Sequence, residues 1–336
     1  MHKLVLALPA AVAVAALLAA SASGRHSATN GPIAFDAKVG SLYEVFTINP
    51  DGTGLKQVTH GRPEAGQYGL AWSPDGSSLL YQVPGKGYDI LEKANADGSD
   101  AAPWSPPCTG QCLGDDYPEY NAGGTKVVYD RAYGPVKTIY GAGEARVVAI
   151  FMANADGTDP TQLTMKHSVP YGAGDQRPVW SPDGTKIAFW RQPPTTKAGQ
   201  PPGAIWLMNA NGSDQHRLTP VALDAIEPHW STNGTIVFSS NGAFLKGKDA
   251  NVYSIRPDGS SLKQLTHYGG GLQAIVKDVS PDGTEILFHL RVANEYGPGR
   301  NQLYVMNADG SDARQLTHMP PRSDPGGGSA RWAAGS

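Results

Sequence analysis

Pro178-Val179-Trp180-Ser181-Pro182-Asp183-Gly184-Thr185-Lys186-Ile187-Ala188-Phe189 is the stretch that decides how this chain folds. Its centre, Ser-Pro-Asp-Gly, is a tight-turn sequence. The Asp side chain accepts bonds from the backbone just after it, and Gly takes the positive φ that such turns need. Arg177 to Trp180 on one side and Lys186 to Trp190 on the other read as the two strands of a hairpin. In the second strand Ile187 and Phe189 fall on one face, Ala188 and Trp190 on the other. A strand apolar on both faces is one enclosed between two layers, because neither face meets water.

The hairpin recurs. Complete or worn versions run from Trp72 to Gly76, Tyr120 to Gly124, Trp180 to Gly184, Trp230 to Gly234 and Val279 to Gly283. A second turn signal, Asn-Ala-Asp-Gly or close to it, ends at Gly52, Gly98, Gly157, Gly212, Gly259 and Gly310. The two signals alternate strictly, with a period of about 50 residues, the range of propeller blades. Around the opening hairpin, residues 204–208 read as a third strand and 215–219 as a fourth. The missing sixth version of the first signal lies around Trp332, and Ile33 to Phe35 reads as the strand that should follow it. The expectation is an all-β, six-bladed β-propeller of four-stranded antiparallel blades over residues 31–336. Its first blade is closed by both chain termini, with Trp332 beside Ile33. Closure of this kind removes the last exposed sheet edge.

These motifs resemble the TolB-type propeller repeat. Pro178 to Phe189 and Leu303 to Ser311 follow the family pattern almost letter for letter, and Leu-Thr endings recur at Thr164, Thr219, Thr266 and Thr317. The resemblance covers about residues 31–336. It implies a six-bladed ring, often exported, and no single function, because the repeat serves partner-binding scaffolds and also gates the hydrolase domain of prolyl-oligopeptidase-like peptidases. The family's namesake carries an α/β domain before its propeller, and Ser23 to Ile33 leaves no room for one. No G-x-S-x-G nucleophile elbow occurs either. The chain reads as a propeller-only member, without the amino-terminal domain of the namesake or a hydrolase domain.

Residues 1–22 read as a signal peptide: Lys3, an apolar run from Leu4 to Ala20, then Ala20-Ser21-Ala22. Residues 23–30 form a short segment before the propeller. The expected location is exported, periplasmic or extracellular, with no stable membrane span after cleavage. The net charge of -3, with no dense basic stripe, gives no electrostatic case for nucleic acid or an anionic membrane surface. The two cysteines, Cys108 and Cys112, read as a disulfide in an exported chain, and two thiols alone cannot build a four-ligand zinc site.

The two turn classes share one rim, and the longer connections share the other. Those connections contain Tyr133, Tyr140, Glu144, Phe244, Lys246, Lys248, Glu295, Tyr296 and Arg300. Loops on a rigid scaffold carry binding residues, so this rim is the expected binding face. Where the first strands line the channel stand Asp115, Asp116, Asp175, Arg177, Asp224, Glu227 and Lys277. His60, His167, His267 and His318 follow the fourth strands, and His229 precedes Trp230. The ligand-binding candidates are Asp175, Arg177, Asp224, Glu227, His267, His318 and Tyr296. Converging His and carboxylate groups suit a metal or acid–base work, but a polar channel and a repeated His are also what a repeated blade produces. No cofactor, metal or catalytic residue is assigned. The Asn-Ala-Asp-Gly-Ser-Asp turns at Asn95 and Asn307 lack the distal Glu of a calcium loop and read as Asx turns. The recurring Trp reads as packing between blades.

Three functions remain open from sequence. The first is a monomeric, non-catalytic scaffold that binds a protein, peptide or envelope component on the long-loop face. The second is an extracellular hydrolase or lyase acting on a glycan or small molecule at the channel mouth. The third is a propeller that partners a separately encoded hydrolase.

Overall fold

The computed structural model describes residues 30–61, 69–85, 89–108, 110–137, 144–165, 174–193, 201–240, 249–292, 301–320 and 323–335. The expected leader 1–22 and residues 23–29 lie outside them. Among the described residues the chain is all-β apart from one 3-10 turn, Val221–Leu223, and no helix is long and apolar enough to cross a membrane.

Strands pair antiparallel with their neighbours in sequence, in repeated four-stranded meanders. The hairpin around Ser181–Gly184 forms as Gly174–Trp180 against Lys186–Gln192, followed by Ala204–Asn209 and His216–Arg217. Its turn closes through Asp183 Oδ1, which accepts Ser181 Oγ–H at 2.6 Å and Thr185 N–H at 3.0 Å, and through Gly184 at φ 68°. Among the described residues, successive meanders touch edge to edge only at single parallel bridges, Asp89↔Gly114, Val148↔Gly174 and Ala250↔Gln273.

Face-to-face packing does most of the joining. Ile187, Ala188 and Phe189 are fully buried. Phe189 and Ile187 lie with Val128 and Ile150 of the preceding meander, and Ala188 lies with Ile236 and Phe238 of the following one. Each such side chain contributes about 1.5–3 kcal/mol of apolar burial. This two-sided enclosure is why the middle strands lack the polar face of an ordinary antiparallel sheet.

The sheet containing Asn30–Val39 and Leu42–Ile48 takes its innermost strand from Ala330–Ala334, and Ile33 stands opposite Trp332. On one face Phe35 and Phe46 pack with Leu287, Leu303 and Leu316. On the other, Ala34 and Val45 pack with Leu70, Trp72 and Tyr81. The Leu-Thr endings also have a physical role. The hydroxyls of Thr59, Thr164, Thr219, Thr266 and Thr317 accept the backbone N–H of Val45, Ile150, Ile205, Val252 and Leu303, at 2.8 to 3.0 Å, which ties the end of each outer strand back to the third.

Candidate functional site at the channel

The innermost strands carry irregularities that aim side chains into the channel. Register shifts fall between Asp116 and Glu119, Gln176 and Val179, Ile226 and His229, and Val276 and Asp278. At the first three, Tyr117, Arg177 and Glu227 take left-handed backbone, φ 50°, 55° and 54°, and a proline follows each. Proline cannot donate to a ladder, so an interruption there leaves no N–H unpaired. Left-handed backbone costs a residue with a Cβ about 1–2 kcal/mol, and bulges often re-aim a side chain beside a functional site.

These residues meet. Arg177 and Glu227 form an ion pair, and Lys277 Nζ stands 4.0 Å from the same Glu227 oxygen. Arg177 also donates to the Tyr117 hydroxyl at 2.8 Å and lies 4.2 Å from the centre of its ring. Burial pushes the Glu227 carboxyl up, but Arg177 and then Lys277 outweigh it and hold Glu227 below the usual range. Burial lowers the Lys277 amine, against the pull of Glu227. The result is a charged belt, Tyr117–Arg177–Glu227–Lys277, inside the channel, in which two cations share one carboxylate.

One step towards the short-turn rim lies a cavity of about 440 Å³, lined by the ends of the first strands and the turns that follow them. Trp180, Trp230 and Trp332 wall it, Pro74, Pro182 and Pro281 rim it, and Glu119, Asp278 and Arg331 supply its charges. Arg331 Nε is 3.6 Å from Glu119 Oε2. Burial raises Glu119 to about 7 and Asp278 to about 6. His229 Nδ1 stands 3.7 Å from Asp278. Burial and then Arg331 push His229 well down, so it is neutral.

The expected site residues divide. Arg177 and Glu227 come together. Asp175 is fully buried and bound bidentately by Arg191 at 2.5 and 2.8 Å. Asp115 and Arg131 repeat that bracket at 2.6 and 2.8 Å, and Gln273 and Arg291 repeat part of it at 2.6 Å. The bracket clips the first strand to the second. Asp224, at φ 45°, accepts Gly203 N–H at 2.7 Å. His267 and His318 are exposed after the outermost strands, so the repeat carries them away from the channel belt. Tyr296 and His167 lie outside the described residues, as do Tyr140, Phe244, Lys246, Lys248, Glu295 and Arg300. Cys108 and Cys112 are joined in a disulfide with their Cα atoms 6.3 Å apart. Among the described residues no group of three or more His, Cys, Asp or Glu is placed to hold a metal ion. Sequence reading named the belt's Lys277 as a channel residue but not Tyr117. The signal for Tyr117 was present: it precedes a proline three positions before the repeat's aromatic, as do Arg177 and Glu227.

The repeat, the stacked four-stranded meanders and the polar channel define the class by fold, a β-propeller similar to those of TolB proteins. Within it, the chain is 30% identical over 139 residues to a TolB homolog of Chlorobium luteolum. The match takes in 41% of this chain and 28% of the relative, so the chain spans little more than a quarter of that protein. Its fold is similar to TolB from Acinetobacter baumannii, with TM-score 0.65 and 15% identity over 90% of this chain and 66% of that one. It is also similar to oligogalacturonate lyase from Vibrio parahaemolyticus, with TM-score 0.55 and 15% identity over 85% of this chain and 74% of that one. The chain matches no family model.

Proposed function

We propose that the chain is an exported, non-catalytic scaffold, a closed ring of six blades, that binds a protein or peptide of the cell envelope in the recess at the channel mouth. The recess carries the proposal. It is concave, rimmed by prolines and walled by tryptophans, with a few charged groups at its base. Binding sites combine a largely apolar lining with a few placed polar groups in this way. The pairing of Ile33 with Trp332 and the packing of the first sheet on both sides support the closed ring. The likeness to TolB homologs supports an envelope setting. The long connections of the opposite rim remain a second docking face, and a monomer satisfies the proposal.

The test compares capture of envelope proteins by three forms: the native chain, a Thr232→Trp variant that fills the recess, and a variant with 241–248 shortened. Loss of a partner on filling the recess supports the recess. Loss only on shortening the loop moves docking to the opposite rim. A chain that captures nothing in its native form overturns the scaffold.

A lyase or hydrolase reading rests on Glu119 and Asp278. Both are held near neutrality beside the recess, where a carboxyl can give or take a proton. Turnover of an acidic oligosaccharide, lost in Glu119→Gln, would establish it. A propeller that partners a separately encoded hydrolase would instead show itself by co-purification with that enzyme.

A further inference from the structure

Charge at the recess is lopsided. Glu119 and Asp278 stand at its base, and Asp75, Asp183 and Asp282 follow the three prolines of its rim. Each rim carboxylate accepts the Oγ–H of the serine two residues before it at 2.6 Å. Those bonds hold Asp75 and Asp183 below the usual range, so both stay ionised. Among the described residues that line the recess, Arg331 is the one cation. It is itself engaged. Its Nη1 donates to the carbonyls of Lys277 and Ala330 at 2.6 and 3.1 Å, and its Nε stands 3.6 Å from Glu119. Lys126 and Lys186, which follow two of the rim turns, reach instead to Asn154 and Asn209 of the third strands at 2.7 and 3.2 Å.

The walls add a second requirement. The indole N–H groups of Trp180, Trp230 and Trp332 have no acceptor among the described residues, although Trp180 and Trp332 are only 8% and 5% exposed. Trp72, at the same position in the repeat, donates to the Arg331 carbonyl at 3.2 Å. A buried donor without an acceptor is costly, so an occupant that brings neutral acceptors gains by entering. Tryptophan is also the aromatic side chain that best attracts a cation. An anion, by contrast, would meet the carboxylates of the rim and then those of the base.

We infer that the recess takes a lysine- or arginine-bearing segment of a partner protein, with its cationic group at Glu119 and Asp278 and its main-chain carbonyls at the tryptophan indoles. A polypeptide brings carbonyls together with the cation, which a free amine does not. The cavity of about 440 Å³ admits a short extended segment and not a folded domain. Asp75, Asp183 and Asp282 meet the segment first and steer it inward. Burial raises Glu119 and Asp278, and a cation that reaches them favours their charged forms. The inference rests on the recess as the docking site and adds the chemistry of what docks there.

Indole ¹⁵N–¹H spectra of the full chain test this, at about pH 8, where both base carboxyls are ionised. The probes are capped glycine–X–glycine tripeptides, in which X is lysine, arginine, norleucine or glutamate, and n-butylammonium. The lysine and arginine peptides are expected to shift the Trp180, Trp230 and Trp332 signals saturably. Trp104, whose indole donates to the Ala155 carbonyl at 2.9 Å, should stay in place. Glu119→Gln should weaken the lysine peptide about fivefold and leave the norleucine peptide unchanged. A norleucine peptide that binds as well as the lysine peptide overturns the cation and leaves the recess as a binding site, and so does tighter binding of the glutamate peptide. Binding of n-butylammonium as tight as that of the lysine peptide overturns the polypeptide occupant. No response to any probe overturns both the inference and the recess as a site. If Glu119→Gln does not fold, Thr232→Trp, at an exposed rim position, serves in its place. It should abolish the shifts, and shifts that persist in it overturn the inference.

Discussion

Arg177 and Glu227 occupy the same position in neighbouring sheets, each with left-handed backbone, and their side chains pair inside the channel. The fold takes the same local strain twice in succession, and the two turned side chains neutralise each other. Tyr117 takes it a third time, and its hydroxyl accepts from Arg177.

Removing one charge should therefore cost more than removing both. Glu227→Gln removes the carboxylate that Arg177 and Lys277 share, and the expected loss is about 3–5 kcal/mol in urea unfolding. Arg177→Gln/Glu227→Gln should recover a substantial part of it. A double variant no more stable than the single one would show that the pair does not carry the effect.

Two glycines with similar backbones separate conformational strain from close approach. Gly234 has φ 81° with nothing near an added Cβ, whereas Gly310 has φ 94° with the Leu265 carbonyl oxygen 2.3 Å from that position. Gly234→Ala should cost about 1 kcal/mol. Gly310→Ala should cost more than that, since the Leu265 carbonyl belongs to the neighbouring sheet and cannot swing aside. Thermal melts of the two variants decide it, and equal shifts would count against the contact.

Asp278 predicts a pH effect with a definite sign. Burial raises it to about 6, so it favours the folded state below its ordinary range and loses that contribution as pH rises through 6. Asp278→Asn, which keeps an oxygen for Trp332 N–H, should raise Tm relative to the native chain more at about pH 8 than at about pH 5, with the gain vanishing below about pH 4. Asp324 runs the other way. His289 beside it outweighs burial and holds it at about 2, so its contribution is lost only as pH falls towards 2.

The disulfide closes a short loop, so reduction should have a modest effect, about 2 kcal/mol on the chain-entropy estimate. The change should centre on the start of strand Cys112–Tyr120 and on Arg131, which bonds the carbonyls of Pro106 and Pro107. Cys108→Ser/Cys112→Ser unfolding in denaturant reads the first. Hydrogen exchange in 112–120 reads the second.

The fold was legible because its determinants are local and repeated. Asp183 and Gly184 dictate their own turn, and the doubly apolar run at Ile187 to Phe189 announces enclosure on both faces. The Leu-Thr endings were legible as a pattern but not as a cause, since the Thr219 hydroxyl meets Ile205 N–H only once the outer strand has folded back. Site residues were harder to read, because position in the repeat does not say which way a side chain points. Asp175 and Arg177 are two residues apart, yet one clips its own sheet and the other crosses the channel. The bulge between Gln176 and Val179 separates their roles. His267 and His318 follow outer strands, and their repetition reflects the blade rather than a shared ligand.

The pairing of Ile33 with Trp332 also bears on the order in which the molecule assembles. Phe35 and Phe46 leave the ribosome long before Leu303, Leu316 and Trp332, which pack with them. The contacts that complete this sheet have the largest sequence separation among the described residues, and ordering so long a loop is slow. Until residue 332 emerges, a strand edge and an apolar face stand open to other chains. Aggregation during synthesis should therefore be most sensitive to this sheet, even though its finished packing resembles that of its neighbours.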